Sequence, residues 1–178
     1  TFAAIGVVVH FVPVLKDSGA DAMAAAGIAS LIGIFSVIGR LGTGFLLDRL
    51  PAHVIGAVAF LLPVLASGLL LLDGSNPLFQ SVAAAAFGLT VGSEIDVIAY
   101  LAARHFGLKN FGALYGALIM ALALGTAFGP LAAGAIHDAN GSYASFLALS
   151  MALLSASSVV IFTMRPAQVV AEPQKAAV

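Results

Sequence analysis

Six long apolar stretches, separated by short polar breaks, run through this chain of 178 residues and leave almost no polar face along it. A helix that is apolar all round must be buried in protein or in lipid, and a membrane-spanning helix needs about 20 largely apolar residues. The stretches predict helices at about 1–15, 23–47, 52–72, 77–103, 111–136 and 142–164. The breaks between them are Lys16-Asp17-Ser18-Gly19, Asp48-Arg49-Leu50-Pro51, Asp73-Gly74-Ser75-Asn76-Pro77, Arg104 to Asn110, and His137-Asp138-Ala139-Asn140-Gly141. Charged residues make up 8% of the chain, against roughly 25% in soluble domains. The expected solvent is therefore the bilayer. The reading is an all-α membrane protein with one six-helix domain over 1–164. A tail over 165–178, with Pro166, Glu172, Pro173 and Lys175, is expected to be disordered.

Several classes fall away at once. The net charge of −1 offers no footprint for nucleic acid. Without cysteine there is neither a disulfide nor a thiolate metal site, and no cofactor or metal is expected. Thr1 sits directly inside apolar sequence with no charged n-region before it, unlike a signal peptide. The expectation is a chain cut from a longer one, with its first helix truncated and an N-terminal half of the same polypeptide missing.

Loop charges predict the orientation. Alternating the loops between two sides collects Arg49, Arg104, Lys109, Arg165 and Lys175 on one, against Lys16 alone on the other. By the positive-inside bias the first side is cytoplasmic and holds the C-terminal tail. The opposite side carries Asp17, Asp21, Asp73 and Asp138.

Arg40, Glu94 and Asp96 lie well inside apolar segments. Each costs about 2.5–3.5 kcal/mol at a helix centre, so they are expected to face the bundle or a wet cavity rather than lipid. Arg40 precedes Asp48 by eight residues and Asp96 precedes Arg104 by eight, placing both about 12 Å from the same boundary. They could meet in one layer near the midplane, where transporter sites typically lie. Ser93, Asp96 and Tyr100 follow i, i+3, i+7 spacing and share a helix face. Glu94 points about 200° away from Asp96, as an interhelical partner or proton carrier. One cation against two anions in low dielectric favours protonating one carboxylate, which suits proton-coupled transport. His10 lies about 9 Å along its helix from Lys16; it either bonds a backbone carbonyl or contacts substrate or a proton. His53, His105 and His137 read as boundary residues. Gly112 and Gly116, then Gly125, Gly129 and Ala133, recur at four-residue spacing, a pattern that lets helices approach closely in lipid. Gly129-Pro130 is expected to kink or loosen its helix.

Gly44-x-x-x-Asp48-Arg49 resembles the cytoplasmic-loop signature of the major facilitator superfamily as repeated between helices eight and nine, although Leu50-Pro51-Ala52-His53 replaces the following Gly and basic pair. The stretch Phe106 to Gly116 is similar to the loop between helices ten and eleven of the oxalate:formate antiporter-like and monocarboxylate transporters. Gly129-Pro130-Leu131-Ala132-Ala133-Gly134 and Asp138-Ala139-Asn140-Gly141-Ser142-Tyr143 resemble their helix eleven and outer loop. The resemblance implies helices seven to twelve, one half of that fold. It further implies that Gly44, Asp48 and Arg49 form a gating latch, and that Arg40, four residues before Gly44, is the substrate-binding arginine of helix eight. Tyr100 matches a helix-ten aromatic position of the oxalate-type carriers. Ser36 replaces an Asp that many monocarboxylate transporters carry, and no Lys occurs between Phe111 and Ile136, which points away from a dicarboxylate.

The resulting expectation is secondary active transport of a small organic anion, a monocarboxylate, coupled to protons or to anion exchange by alternating access. The site would comprise Arg40, Tyr100 and His10, with Asp96 and Glu94 for proton coupling or ion pairing. The location would be the plasma membrane, a bacterial inner membrane. A receptor or assembly subunit on a transporter fold is the alternative. A six-helix intramembrane protease needs a Gly-x-Ser-Gly nucleophile, but here Gly92-Ser93 runs into Glu94 with no mid-membrane His as its base. No enzyme is expected.

Overall fold

The structure, a computed structural model, describes residues 1–106 and 111–164. The loop motif at 107–110, with Lys109, and the tail at 165–178 lie outside the described residues. In chain order the elements are α1 (Phe2–Val9), α2 (Phe11–Asp17), α3 (Ala22–Leu47), α4 (Ala52–Asp73), α5 (Pro77–Phe106), α6 (Phe111–Asn140) and α7 (Ala144–Thr163). Among the described residues there is no strand. Five helices, α3 to α7, are long and apolar enough to cross a membrane.

The first segment differs from the single helix expected over 1–15: it is two short helices that break at His10 (φ −96°, ψ 14°). Pro13 supplies the reason. It has no N–H for the Val9 carbonyl and its ring crowds that carbonyl, which weakens the ladder between residues 9 and 13. A new helix starts instead, with Val14 N–H donating to the His10 carbonyl at 2.8 Å.

Local chemistry sets the other ends. The Asp21 carboxylate accepts from the Met23 and Ala24 amides at 3.0 and 3.4 Å and caps α3. Pro77 opens α5, where its missing donor is harmless. Helix α6 passes Pro130 unbroken and extends past the expected end at 136 to Asn140. It stops at Gly141, whose φ of +66° is the left-handed cap that glycine adopts without steric penalty.

Neighbouring helices run in alternate directions. Ser18 meets Gly74 and Asp17 meets His137 at one end, while His53 meets Phe162 at the other. Helix α3 packs on α5, α4 lies between α5 and α7, and α1 packs on α6. The α1–α6 contact is built on Gly125 and Gly129: a Cβ on Gly125 would lie 3.0 Å from the Phe2 nitrogen, and one on Gly129 would strike the Phe2 carbonyl oxygen. Gly112 and Gly116, in the same small-residue pattern, face open space. Two hydroxyls stitch α4 to its neighbours. Thr90 of α5 donates to the Ala59 carbonyl at 2.7 Å, and Ser158 of α7 donates to the Ala57 carbonyl at 2.8 Å. Much of α3 and α6 stays uncovered, with Val37, Leu41, Phe128 and Leu131 all exposed.

Candidate functional site

The site grows out of the α3–α5 contact. Gly39 lies so near α5 that a Cβ there would sit 2.5 Å from the Leu89 carbonyl oxygen. On α5, a Cβ at Gly88 would sit 2.6 Å from the Ile32 carbonyl oxygen, and one at Gly92 would collide with that of Ser36 while lying 2.9 Å from the Arg40 amide. Three glycines thus bring two backbones together with no side chain between them, in the manner of small-residue contacts in lipid. Arg40 and Asp96 flank this contact, and the short separation lets their side chains meet.

Arg40 Nε stands 3.9 Å from Asp96 Oδ2, at the long limit of an ion pair. The Arg40 side chain is 58% exposed and that of Asp96 34%, so the pair is neither closed nor dry. An open groove of about 200 Å³ adjoins it, lined by Ser36, Val37, Arg40, Leu41, Val91 and Gly92. A guanidinium presents several N–H donors in a planar fork, and one long contact to Asp96 leaves most of them to a ligand in the groove.

The other sequence candidates lie elsewhere. Glu94 is buried, and the Thr1 hydroxyl just before α1 donates to it. It thus pairs with the first helix rather than with Arg40. Ser93, expected on the face of Asp96, is buried; its hydroxyl donates to the Thr90 carbonyl at 3.0 Å. Tyr100 packs on the apolar cluster of Leu47, Ala52, Ile55 and Val97, with the Arg104 guanidinium 5.1 Å from its ring centroid. His10 directs Nδ1 to the Gly6 carbonyl at 3.2 Å and its ring toward Tyr143 at 5.4 Å. In the Gly44-x-x-x-Asp48-Arg49 stretch, Gly44 faces open space and Asp48 ends α3. Arg49 lies over the Phe45 ring at 3.9 Å. Among the described residues Asp48, Arg49 and Arg104 join no ion pair, and Pro51 precedes α4 without any side-chain cap.

A second cluster forms away from the groove. Asp17, His137, Asp138, Tyr143 and His10 converge at the end away from Arg49. Tyr143 is buried there. Burial first, then the nearby Asp17 and Asp138 carboxylates, push its hydroxyl above the ordinary tyrosine value. The only sequence signal was the helix-end position of these residues, which normally marks a solvated boundary.

Fold and site together define a class: an all-helical, multi-pass membrane protein with a partly exposed charged pair between two apolar spans. Its relatives are transporters. The chain is 30% identical over 163 residues to monocarboxylate transporter 11 of Mus musculus, covering 85% of this chain and 36% of that protein. It is 29% identical over 159 residues to monocarboxylate transporter 13 of Rattus norvegicus, covering 86% of this chain and 36% of the relative. It is 28% identical over 153 residues to the MFS transporter asaE of Aspergillus flavus, covering 83% and 34%. No family model matches the chain. The chain therefore spans about 36% of the length of the first curated relatives it matches. It is similar to monocarboxylate and major facilitator superfamily transporters over most of its own length.

Proposed function

We propose that this chain supplies one half, helices seven to twelve, of a major facilitator superfamily carrier that moves a small monocarboxylate by alternating access. The observation that carries the reading is the open Arg40–Asp96 pair beside its groove. A carboxylate entering the groove accepts two parallel N–H bonds from Arg40, the arrangement for which guanidinium geometry is suited. Asp96 and the incoming anion then share one cation. Two anions on one cation repel, and a proton on either carboxylate relieves the repulsion. That proton travels with the substrate, which couples transport to the proton gradient; without it the same geometry supports exchange of one anion for another.

The relatives named as monocarboxylate transporters support the substrate class. The uncovered apolar faces of α3 and α6 support a second half packed against them, because carrier sites form at the interface of two repeats. In this reading Asp96 carries the coupling, Glu94 anchors α5 to the first helix, and Gly44, Asp48 and Arg49 form the gate. Tyr100, packed beside Arg104, and His10, packed against Tyr143, are left outside the groove. The Arg49 end faces the cytoplasm across the plasma membrane, a bacterial inner membrane.

The test is uptake of labelled lactate by the full polypeptide in proteoliposomes under an imposed proton gradient. Wild type should accumulate lactate and Arg40→Ala should not. Undiminished uptake by Arg40→Ala would remove the anion-binding role.

A further inference from the structure

A second groove lies on the other side of α3. Helices α3 and α4 follow one another in sequence, yet each leans on α5 and they barely touch. The cleft between them holds about 320 Å³, with Ile38, Gly42 and Leu46 on one wall, Val54, Val58 and Leu62 on the other, and α5 beneath. Each wall follows i, i+4, i+8 spacing, a single helix face. Ile38, Leu46 and Val58 are exposed, and a Cβ on Gly42 would meet nothing within 4 Å. The hydroxyl-bearing residues that line the cleft, Thr43 and Ser93, are buried, so the open surface is hydrocarbon. At about 100° per residue, this face of α3 points roughly 160° from the one that carries Ser36, Val37, Arg40 and Leu41. The apolar groove turns away from the charged pair.

Its length and its charged end define what fits. From Val54 to Leu62 the groove follows about 12 Å of helix, most of the roughly 15 Å that one leaflet contributes to the hydrocarbon core. At one end the last turn of α3 runs on through Leu50, whose amide donates to the Leu46 carbonyl at 2.8 Å and whose side chain also lines the groove. By the same helical angle Arg49 falls on the groove side of that turn, and its neighbour Asp48 falls on the side of Leu41. Arg49 is exposed, lies over the Phe45 ring at 3.9 Å and joins no ion pair among the described residues. A guanidinium stacked on a ring keeps its in-plane N–H donors free, and the paired oxygens of a phosphate match that fork. We infer that the groove seats one acyl chain of an anionic phospholipid whose phosphate rests on Arg49. The spans on either side, α3 and α4, set the cleft in the bilayer, and an unpartnered cation at its end selects a headgroup of net negative charge over a zwitterionic one. The chain of the lipid then fills the space that α3 and α4 leave between them.

The inference rests on the membrane setting and is independent of the substrate. Its test uses the full polypeptide in vesicles of phosphatidylethanolamine and phosphatidylglycerol. A trace of phosphatidylglycerol or phosphatidylcholine with a photoactivatable diazirine in the acyl chain is added, and the labelled residues are read by peptide mass spectrometry. Val159 and Val160, exposed on α7, report ordinary contact with lipid. The phosphatidylglycerol probe should label the groove more heavily than α7, and about five-fold more than the phosphatidylcholine probe does, the factor expected for one cation at the headgroup. Arg49→Gln should bring the two probes to equal labelling of the groove. Gly42→Leu, whose side chain enters open space, should abolish groove labelling by both probes. In both variants the labelling of α7 should stay as in wild type. Equal labelling of groove and α7 by both probes would mean ordinary lipid contact, and an unlabelled groove would mean that protein covers it. Either result, or a probe preference that survives in Arg49→Gln, would overturn the inference.

Discussion

Gly92 and Ser36 are in backbone contact: any Cβ on Gly92 would occupy the space of the Ser36 carbonyl oxygen. This contact sets the distance between α3 and α5, and with it the separation of Arg40 from Asp96. Gly92→Ala is therefore expected to push the helices apart and to cost about 1–3 kcal/mol, as overpacking does. Gly116→Ala, where a Cβ meets nothing within 4 Å, should change stability by less than about 1 kcal/mol, in the stabilising direction of helix propensity. Thermal unfolding of both variants in detergent measures the contrast; equal effects would refute the close-contact account.

Thr90 answers for Pro63. Proline at 63 has no N–H to offer the Ala59 carbonyl one turn earlier, and the buried Thr90 hydroxyl fills that role from α5 at 2.7 Å. Thr90→Val should cost about 1–2 kcal/mol by leaving that carbonyl unpaired. In a Pro63→Ala background, where residue 63 regains its N–H, the same substitution should cost about 1 kcal/mol less. A double-mutant cycle reads this coupling; strictly additive effects would show that Thr90 and Pro63 act independently.

How much of this could be read from the residues follows a physical division. The helical spans and their breaks were legible because hydrophobic run length is a local property. One departure, the break at His10, also had a visible cause in Pro13. Inter-helix placement was not local. The Gly125, Gly129 and Ala133 pattern does pack against α1, yet Gly112 and Gly116 with the same spacing face open space; spacing alone cannot say which face has a partner. Gly88 and Gly92 carried that spacing too, and the helix they approach is visible only in three dimensions. Arg40 and Asp96 shared an expected depth and lie together, whereas Glu94, two residues before Asp96, accepts from the Thr1 hydroxyl. In the sequence His137 reads as a boundary residue, because its partners Asp17 and Tyr143 lie on other elements.

Tyr143 carries a pH dependence of stability at the alkaline side. Its hydroxyl titrates above the ordinary tyrosine value in the folded protein, through burial first and then Asp17 and Asp138. The unfolded chain thus releases this proton first. The contribution is complete below the ordinary value of about 10 and is lost as pH rises beyond it. Tyr143→Phe should flatten the decline in melting temperature above about pH 10. An undiminished decline in that variant would place its cause elsewhere.

Asp96→Asn separates exchange from coupling. Asparagine preserves size and hydrogen bonding but carries no exchangeable carboxylic proton. The variant should retain lactate counterflow, because Arg40 is intact, and lose accumulation driven by the proton gradient. Undiminished accumulation in proteoliposomes would acquit Asp96.

The most direct test of the Arg40 account is equilibrium binding of labelled lactate to the purified full polypeptide, wild type against Arg40→Lys. Lysine keeps the charge at 40 but offers a point charge in place of the two-pronged donor. Losing one charge-assisted hydrogen bond, about 1.5–3 kcal/mol, should weaken binding about 10- to 100-fold. Equal affinity in the two proteins would contradict the claim that the Arg40 guanidinium receives the carboxylate.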